Sequence, residues 1–502
     1  MASPGRLVDE QEKRRMTDQH YSWITALVLV IDLVIRGGLS IRVIMRRRPV
    51  GVTMAWLSVV LVFPFLGAIL YLLFGELRLG NRRAEWATRI HGPFVDWIKD
   101  QHDHYKVDWN DQAAISEPLS RLAETAVQIP AVPDNDLQLI DNWNAVFDSL
   151  IADIDAAERT VHLCFYIWSN GGRADEVVEA LLRAKARGVI CRVLVDAVGS
   201  KKFLRSDQVN RLREAGVMLQ AALPAGIVRM LFVRFDLRMH RKIVVIDGKI
   251  AYTGSLNMID PRYFKQDAGV GQWIDAMVRV RGPVVEGLAI TFLEDWELDA
   301  AEGVEVLQEQ GDVHHVPPAG DWITQVIPSG PAIRSDAIQD ILLMAIYAAR
   351  RELILTTPYF VPDELLLTAL ISAARRGVEV TLIVPSRVDS VLVRFASQAF
   401  KGDLSDAGIR VMEFEGGLLH TKSITIDRKV SLFGSLNLDP RSLHLNFEIT
   451  LAVYDAVFTE KLRTLQHGYL QHAHPLHRKS WESRSKLIRF TENAARLLGP
   501  LL

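Results

Sequence analysis

At 502 residues the chain is long for one domain and invites a division into two or three. Its formal net charge of −2 supplies no global basic field, which argues against nucleic acid as the bulk partner. The two cysteines, Cys164 and Cys191, each stand in an apolar strand-like run and read as buried free thiols, so they give no disulfide framework.

Residues 1–20 read as a short polar tail. Residues 21–44 are mostly apolar but carry Asp32, Arg36 and Arg42. Asp32 and Arg36 stand four apart, so they can pair on one helical face. Arg42, near the end of the run, can snorkel to a membrane interface. After Arg46, Arg47 and Arg48 come 25 positions, residues 50–74, without a charge. That run is long enough to span a bilayer, with Pro64 tolerated as a kink. Residues 21–75 are therefore expected to form a transmembrane helical hairpin, with an interfacial amphipathic helix as the alternative for the first run. Two crossings would leave the tail and the large C-terminal part on one side, and basic residues at both ends leave that side open. Residues 76–135 read as a connector.

From about residue 137 an internal repeat begins. Residues 156–159 lead into a strand-like run at 160–168, as residues 348–351 lead into 352–360. A helical pattern at 177–188 feeds a strand at 189–196, as 364–377 feeds 378–385. Alternating strand and helix predicts an α/β fold: two similar α/β sandwich halves, residues 136–320 and 321–480, related by pseudo-twofold symmetry, with a mixed, largely parallel sheet.

Each half contains one copy of the same stretch. Residues 240–257 read HRKIVVIDGKIAYTGSLN and residues 420–437 read HTKSITIDRKVSLFGSLN. Both obey His-x-Lys, four residues, Asp, six residues, Gly-Ser-x-Asn. The β-branched runs after each His read as short strands ending in turns at Asp247-Gly248 and Asp427-Arg428. On a strand His240 shares a face with Lys242, and His420 with Lys422. An imidazole beside an ammonium suits an anionic phosphoryl group: the lysine neutralises its oxygens while the histidine attacks or donates a proton. Gly-Ser-x-Asn adds hydroxyl and amide donors from Ser255, Asn257, Ser435 and Asn437. Asp247 and Asp427 complete the motifs and are expected to orient them rather than touch substrate. An acid heads a strand after each motif, Asp275 after the first and Glu448 after the second. Each is placed to accept the Nδ1 proton of its own motif's histidine and so fix the tautomer.

Residues 223–239 interleave Arg229, Arg234 and Arg238 with apolar side chains, which suits a rim meeting lipid tails and anionic headgroups. Near the C-terminus His467, His472, His474 and His477 cluster, but no Cys or well-spaced acid completes a metal set. Residues 481–502 read as an amphipathic helix resting on the protein or the bilayer.

The paired motifs resemble those of the phospholipase D superfamily. That resemblance implies two similar halves meeting in one site, where one histidine becomes a phosphohistidine and the other protonates the leaving alcohol. It implies the supporting role of Asp275 and Glu448 as well. From about residue 20 onward the chain resembles bacterial cardiolipin synthases of that superfamily. The carrying stretches include Arg47-Arg48-Pro49, Ala55-Trp56-Leu57, Leu73-Phe74-Gly75-Glu76, Thr357-Pro358-Tyr359-Phe360 and Asn437-Leu438-Asp439-Pro440-Arg441-Ser442. The resemblance implies a multi-pass enzyme of the bacterial cell membrane whose partners are phosphatidylglycerol and cardiolipin. His240 would be the nucleophile by superfamily habit, and His420 the acid and base. No cofactor or metal is expected, because Lys242 and Lys422 bring the positive charge that a metal would supply. A membrane phospholipase D with water as acceptor, and a catalytically silent scaffold, stay open as alternatives.

Overall fold

The computed structural model describes residues 4–46, 50–76, 97–102, 104–224, 234, 236–331, 336–476 and 484–497. They fall into an N-terminal unit within residues 1–80 and 226–235 and a larger unit within residues 81–225 and 236–502. Arg47, Arg48, residues 77–96, most of the 223–239 rim stretch and His477 lie outside the described residues.

The N-terminal unit holds α1 (Pro4–Met45), α2 (Val50–Val62) and α3 (Leu66–Phe74). α1 begins inside the stretch read as a polar tail. Its segment His20–Met45 has 26 residues and rises about 39 Å, enough to cross a bilayer. Only 6% of its apolar window is buried, unlike a helix in the core of a soluble domain. The Asp32–Arg36 ion pair forms as expected. Arg42 does not snorkel. Its guanidinium makes a fork with the Glu76 carboxylate at 2.6 and 2.7 Å, and the Tyr71 hydroxyl donates to the same group at 2.9 Å.

The second apolar run departs further from expectation. Instead of kinking at Pro64, the chain ends α2 at Val62, takes φ 52° at Phe65 and turns back. Proline lacks the N–H that a continuing helix needs and its ring clashes with the preceding turn. α3 then runs antiparallel along α2, bringing the Trp56 and Tyr71 rings to 5.5 Å. The helices meet so closely at Gly67 that a Cβ there would lie 2.2 Å from the Val59 carbonyl oxygen, so only glycine fits. With 13 and 9 residues, α2 and α3 rise about 20 and 14 Å, and neither spans a hydrocarbon layer about 30 Å thick. Among the described residues one helix is of spanning length, and the doubled-back pair supplies no second helix of that length.

The larger unit is built on strands β1 (Val132–Ile140), β2 (Thr160–Phe165), β3 (Ile190–Asp196), β4 (Met218–Ala222), β5 (Ile243–Ile246), β6 (Ile250–Gly254), β7 (Trp273–Ile274) and β8 (Met277–Arg281). The second half supplies β9 (Trp322–Ser329), β10 (Glu352–Thr356), β11 (Glu379–Pro385), β12 (Arg410–Phe414), β13 (Leu418–Leu419), β14 (Ser423–Ile426), β15 (Val430–Gly434), β16 (Glu448–Val453) and β17 (Ala473–Pro475). Fifteen of them form one sheet in the order β17-β12-β11-β10-β14-β15-β16-β9-β1-β8-β6-β5-β2-β3-β4. Apart from β17, the order is the same read inward from either end, with β9 and β1 pairing at the seam. That is the pseudo-twofold repeat.

The sheet is less parallel than its strand–helix alternation suggests. Only β2-β3-β4 and β10-β11-β12 run parallel in it, and every other neighbouring pair is antiparallel. The cause is local. Each motif is a tight hairpin, β5–β6 or β14–β15, and a hairpin inserts antiparallel strands. β5 and β14 have all their residues buried: β5 is apolar throughout, and in β14 the Ser423 and Thr425 hydroxyls bond to the buried Gln466 side chain. At the C-terminus the helix Lys486–Leu497 rests on the helix Val391–Asp406, with the Arg496 guanidinium 4.6 Å from the Phe400 ring centre.

Candidate active site

Two short parallel pairings stitch the halves together where the motif strands begin. β13 pairs with β7, and Met239 bridges to Phe447. Through them the His420 N–H donates to the Ile274 carbonyl at 2.8 Å, and the His240 N–H to the Phe447 carbonyl at 2.9 Å. The residues that follow, Asp275 and Glu448, are the two acids. Glu448 Oε2 therefore lies 2.7 Å from His240 Nδ1, and Asp275 Oδ1 lies 2.6 Å from His420 Nδ1.

Each acid thus serves the other motif's histidine, opposite to the expected pairing. Within its own half, the strand that follows the acid lies two ladder positions from the strand that follows the histidine, roughly 9–10 Å away. The parallel pairing across the interface removes that gap.

Both histidines are buried and line one cavity of about 550 Å³, whose walls also include Asn257 and Asn437. Burial pushes each imidazole down to about 4. Burial alone would raise Glu448 and Asp275, but the charge of their histidine partners and the bonds from His and Ser hold both below the usual carboxylate range. Near neutral pH each pair is therefore a neutral imidazole donating its Nδ1–H to an ionised carboxylate, which keeps the Nε2 lone pair available.

The serines do something other than expected. Ser255 Oγ donates to Asp275 at 2.6 Å and accepts the Ala276 N–H; Ser435 Oγ donates to Glu448 at 2.5 Å and accepts the Ile449 N–H. Their hydroxyls prop the carboxylates instead of facing a phosphate. Lys242 and Lys422 are buried, and each ammonium donates to its own histidine's carbonyl, at 2.7 and 2.5 Å. Burial pushes Lys242 down to about 8 and Lys422 well below the usual lysine value. Asn257 accepts the Ile167 N–H through Oδ1. Among the described residues, Asn257 Nδ2 and Asn437 Oδ1 are buried without a partner at the cavity, an arrangement that costs about 1–3 kcal/mol per group unless a ligand meets it.

Asp247 and Asp427 stand apart from the cavity. Asp247 accepts three backbone N–H groups, from Glu158, Arg159 and Thr160, at 2.8–3.0 Å. Asp427 accepts those of Arg350, Arg351 and Glu352 at 2.7–3.0 Å. Each latches the far end of its motif strand to the start of the neighbouring strand. Asp247→Ala is expected to cost about 3 kcal/mol, because three charge-assisted bonds go at once. Thermal unfolding should show the loss, while turnover per folded molecule stays close to that of the unaltered protein.

Several wall residues escaped the sequence reading. The Tyr166 ring centre lies 4.8 Å from that of His240, and the Trp273 ring centre 4.5 Å from that of His420. Asp389 accepts from the Tyr359 hydroxyl at 2.6 Å and pairs with Lys265 at 2.9 Å. Asp439, pushed up to about 6 by burial, lines the same cavity beside Arg441. A signal for the tyrosines existed: each half has a Tyr shortly after its β2 or β10 strand.

An anion entering between these groups favours protonated imidazole, so ligand and proton should bind together. Tungstate binding is expected to take up a fraction of a proton near pH 7, a fraction that grows toward pH 5.5 and vanishes below the free value of about 4. Calorimetry in two buffers of different ionisation enthalpy measures it.

A repeated α/β fold in which each repeat brings one His-x-Lys motif, with the two histidines facing a single cavity, defines the phospholipase D class of protein. The family described as "Cardiolipin synthase, PLD-like domain" matches residues 150–296 and 342–467, and "Phospholipase_D-nuclease N-terminal" matches residues 23–76. Cardiolipin synthase A of Serratia proteamaculans is 43% identical over 96% of this chain and 99% of its own length. Cardiolipin synthase A of Yersinia pseudotuberculosis is 44% identical over 93% and 96%. In fold, phosphatidylserine synthase of Haemophilus influenzae aligns with a TM-score of 0.58 at 14% identity, over 76% of this chain and 99% of that one. The chain belongs to the cardiolipin synthase family of phospholipase D-like phosphatidyltransferases.

Proposed function

We propose that the chain condenses two phosphatidylglycerols into cardiolipin and glycerol through a phosphohistidine on His240. His240 Nε2 attacks the phosphorus of the first lipid, and the bond to its glycerol headgroup breaks. His420, protonated at Nε2 as the anionic lipid binds, gives that leaving oxygen its proton. A hydroxyl of the second phosphatidylglycerol then attacks the phosphohistidine, and His420 takes the hydroxyl's proton as the P–N bond breaks. Lys242, Lys422, Asn257 and Asn437 hold the phosphoryl oxygens in both steps. In this reading residues 136–320 and 321–480 are the halves that each bring one motif.

One observation supports this reading above the others: two histidines, each held in the same tautomer by a buried carboxylate, face a single cavity. A transfer in two half-reactions needs a nucleophile and an acid–base group in one place, and the serine-propped carboxylates orient both. The chain acts on membrane phospholipids, as its family does, and α1 is its crossing segment.

The test uses purified full-length protein in detergent with radiolabelled phosphatidylglycerol, with and without EDTA. Cardiolipin and free glycerol in equal amounts, unchanged by the chelator, are expected. Phosphatidic acid in place of cardiolipin would show water as the acceptor and replace this reading with a hydrolase.

A further inference from the structure

We propose that α2 and α3 enter the bilayer as a re-entrant hairpin beside α1, so that the chain crosses once and its tail and catalytic unit lie on opposite faces. The contacts within the N-terminal unit set the register. α2 runs back along α1: Arg36 donates to the Leu61 carbonyl at 2.6 Å, and Leu39 and Val43 share a cluster with Trp56, Leu57 and Val60. α3 then returns in the direction of α1. The Phe65 N–H donates to Asp32 Oδ1 at 3.3 Å at its start, and Glu76 takes the Arg42 fork just beyond its end. The chain therefore leaves at the same end of α1 at which it entered α2. The tip stands beside Asp32, about 20 Å along the axis from Met45, which is mid-depth for a helix of this length.

This geometry explains the charges inside the apolar helix. A helix that breaks in hydrocarbon strands backbone N–H and C=O groups, and each must be satisfied from within the protein. Asp32 accepts the Phe65 N–H, Arg36 caps the Leu61 carbonyl, and the two neutralise each other. An uninterrupted second crossing would need neither.

Residues 77–96 include Arg78, Arg82, Arg83, Glu85, Arg89 and Asp96, too polar for a further crossing. The re-entrant path also breaks the charge tie. In the sequence, residues 46–48 and 77–96 carry Arg46, Arg47, Arg48, Arg78, Arg82, Arg83 and Arg89, against Arg6, Lys13, Arg14 and Arg15 in residues 1–20. The excess places the catalytic unit on the cytoplasmic face.

Single-cysteine labelling tests this on the full chain made in a bacterial host. Cys164 and Cys191 are fully buried and should stay silent toward a membrane-impermeant maleimide. Thr17→Cys, Val50→Cys and Lys201→Cys report the tail, the α1–α2 loop and the catalytic unit, and cardiolipin formation in membranes shows that each variant is folded. In intact spheroplasts only Thr17→Cys is expected to label, with Val50→Cys and Lys201→Cys labelling after lysis. The mirror pattern, in which Val50→Cys and Lys201→Cys label together, supports the hairpin with reversed orientation. Labelling of Thr17→Cys and Lys201→Cys on one face with Val50→Cys on the other means two crossings and overturns the proposal. Labelling of all three on one face means no crossing and overturns it too.

Discussion

His420→Ala protein given a phosphatidyl donor with an activated aryl leaving group should release one equivalent of aryl alcohol and then stop as a phosphorylated protein. The reasoning starts from what each histidine lacks when the other is removed. An activated leaving group departs without a proton, so His240 alone can complete the first half-reaction. The acceptor hydroxyl still needs a base, and His420 is that base, so the phosphohistidine accumulates. His240→Ala protein should show no release and no bound phosphoryl group. With phosphatidylglycerol itself both variants should lose at least about 10⁴-fold in turnover, because nucleophile and acid–base group act as a unit. Each substitution also leaves a buried carboxylate without its histidine, so thermal unfolding has to accompany the kinetics. A phosphorylated His240→Ala protein beside an unphosphorylated His420→Ala protein would exchange the two roles.

The second large effect tests the crossing of the acids. Glu448→Gln preserves volume and can keep a bond to Ser435, but it removes the charge that holds His240 in its Nδ1–H tautomer. In the Ser-His-Asp triad the analogous Asp→Asn change costs about 10⁴-fold, so a loss of about 10³–10⁴ is expected here. With the activated donor, Glu448→Gln should slow the initial burst, because it disarms the nucleophile's support. Asp275→Asn should leave the burst largely intact and slow the later turnover, because its partner is His420. If each acid supported its own motif's histidine, these two patterns would be exchanged. The experiment therefore reads the pairing across the interface directly, and a merely structural role for either acid would slow both phases alike.

The reversal of the second apolar run illustrates where sequence reading stops. Its length and lack of charge satisfy every local criterion for a crossing helix. Pro64 can be read locally as either a kink or a turn, and Gly67 as incidental. Only the packing of α3 back on α2, at a distance that excludes a Cβ, selects the turn. The Asp32–Arg36 pair was visible from its spacing, yet its partners at Phe65 and Leu61 were not, since they lie some 25 to 33 positions away in sequence.

The site divides in the same way. Both His-Lys pairs, the asparagines, the Asp turns and the two acids were legible, because fixed spacing on a strand places side chains through backbone geometry alone. The strand positions of the repeat followed from the same short-range periodicity. What tertiary structure decided was which strand lies beside which. It joined both halves into one sheet, paired β13 with β7, and so handed each acid to the opposite histidine. It turned the serines onto the carboxylates and brought Tyr166, Trp273, Tyr359 and Asp389 to the cavity wall. Periodicity is a property of neighbours along the chain, whereas ladder partners and hydrogen bonds between distant segments are settled only by packing the whole chain.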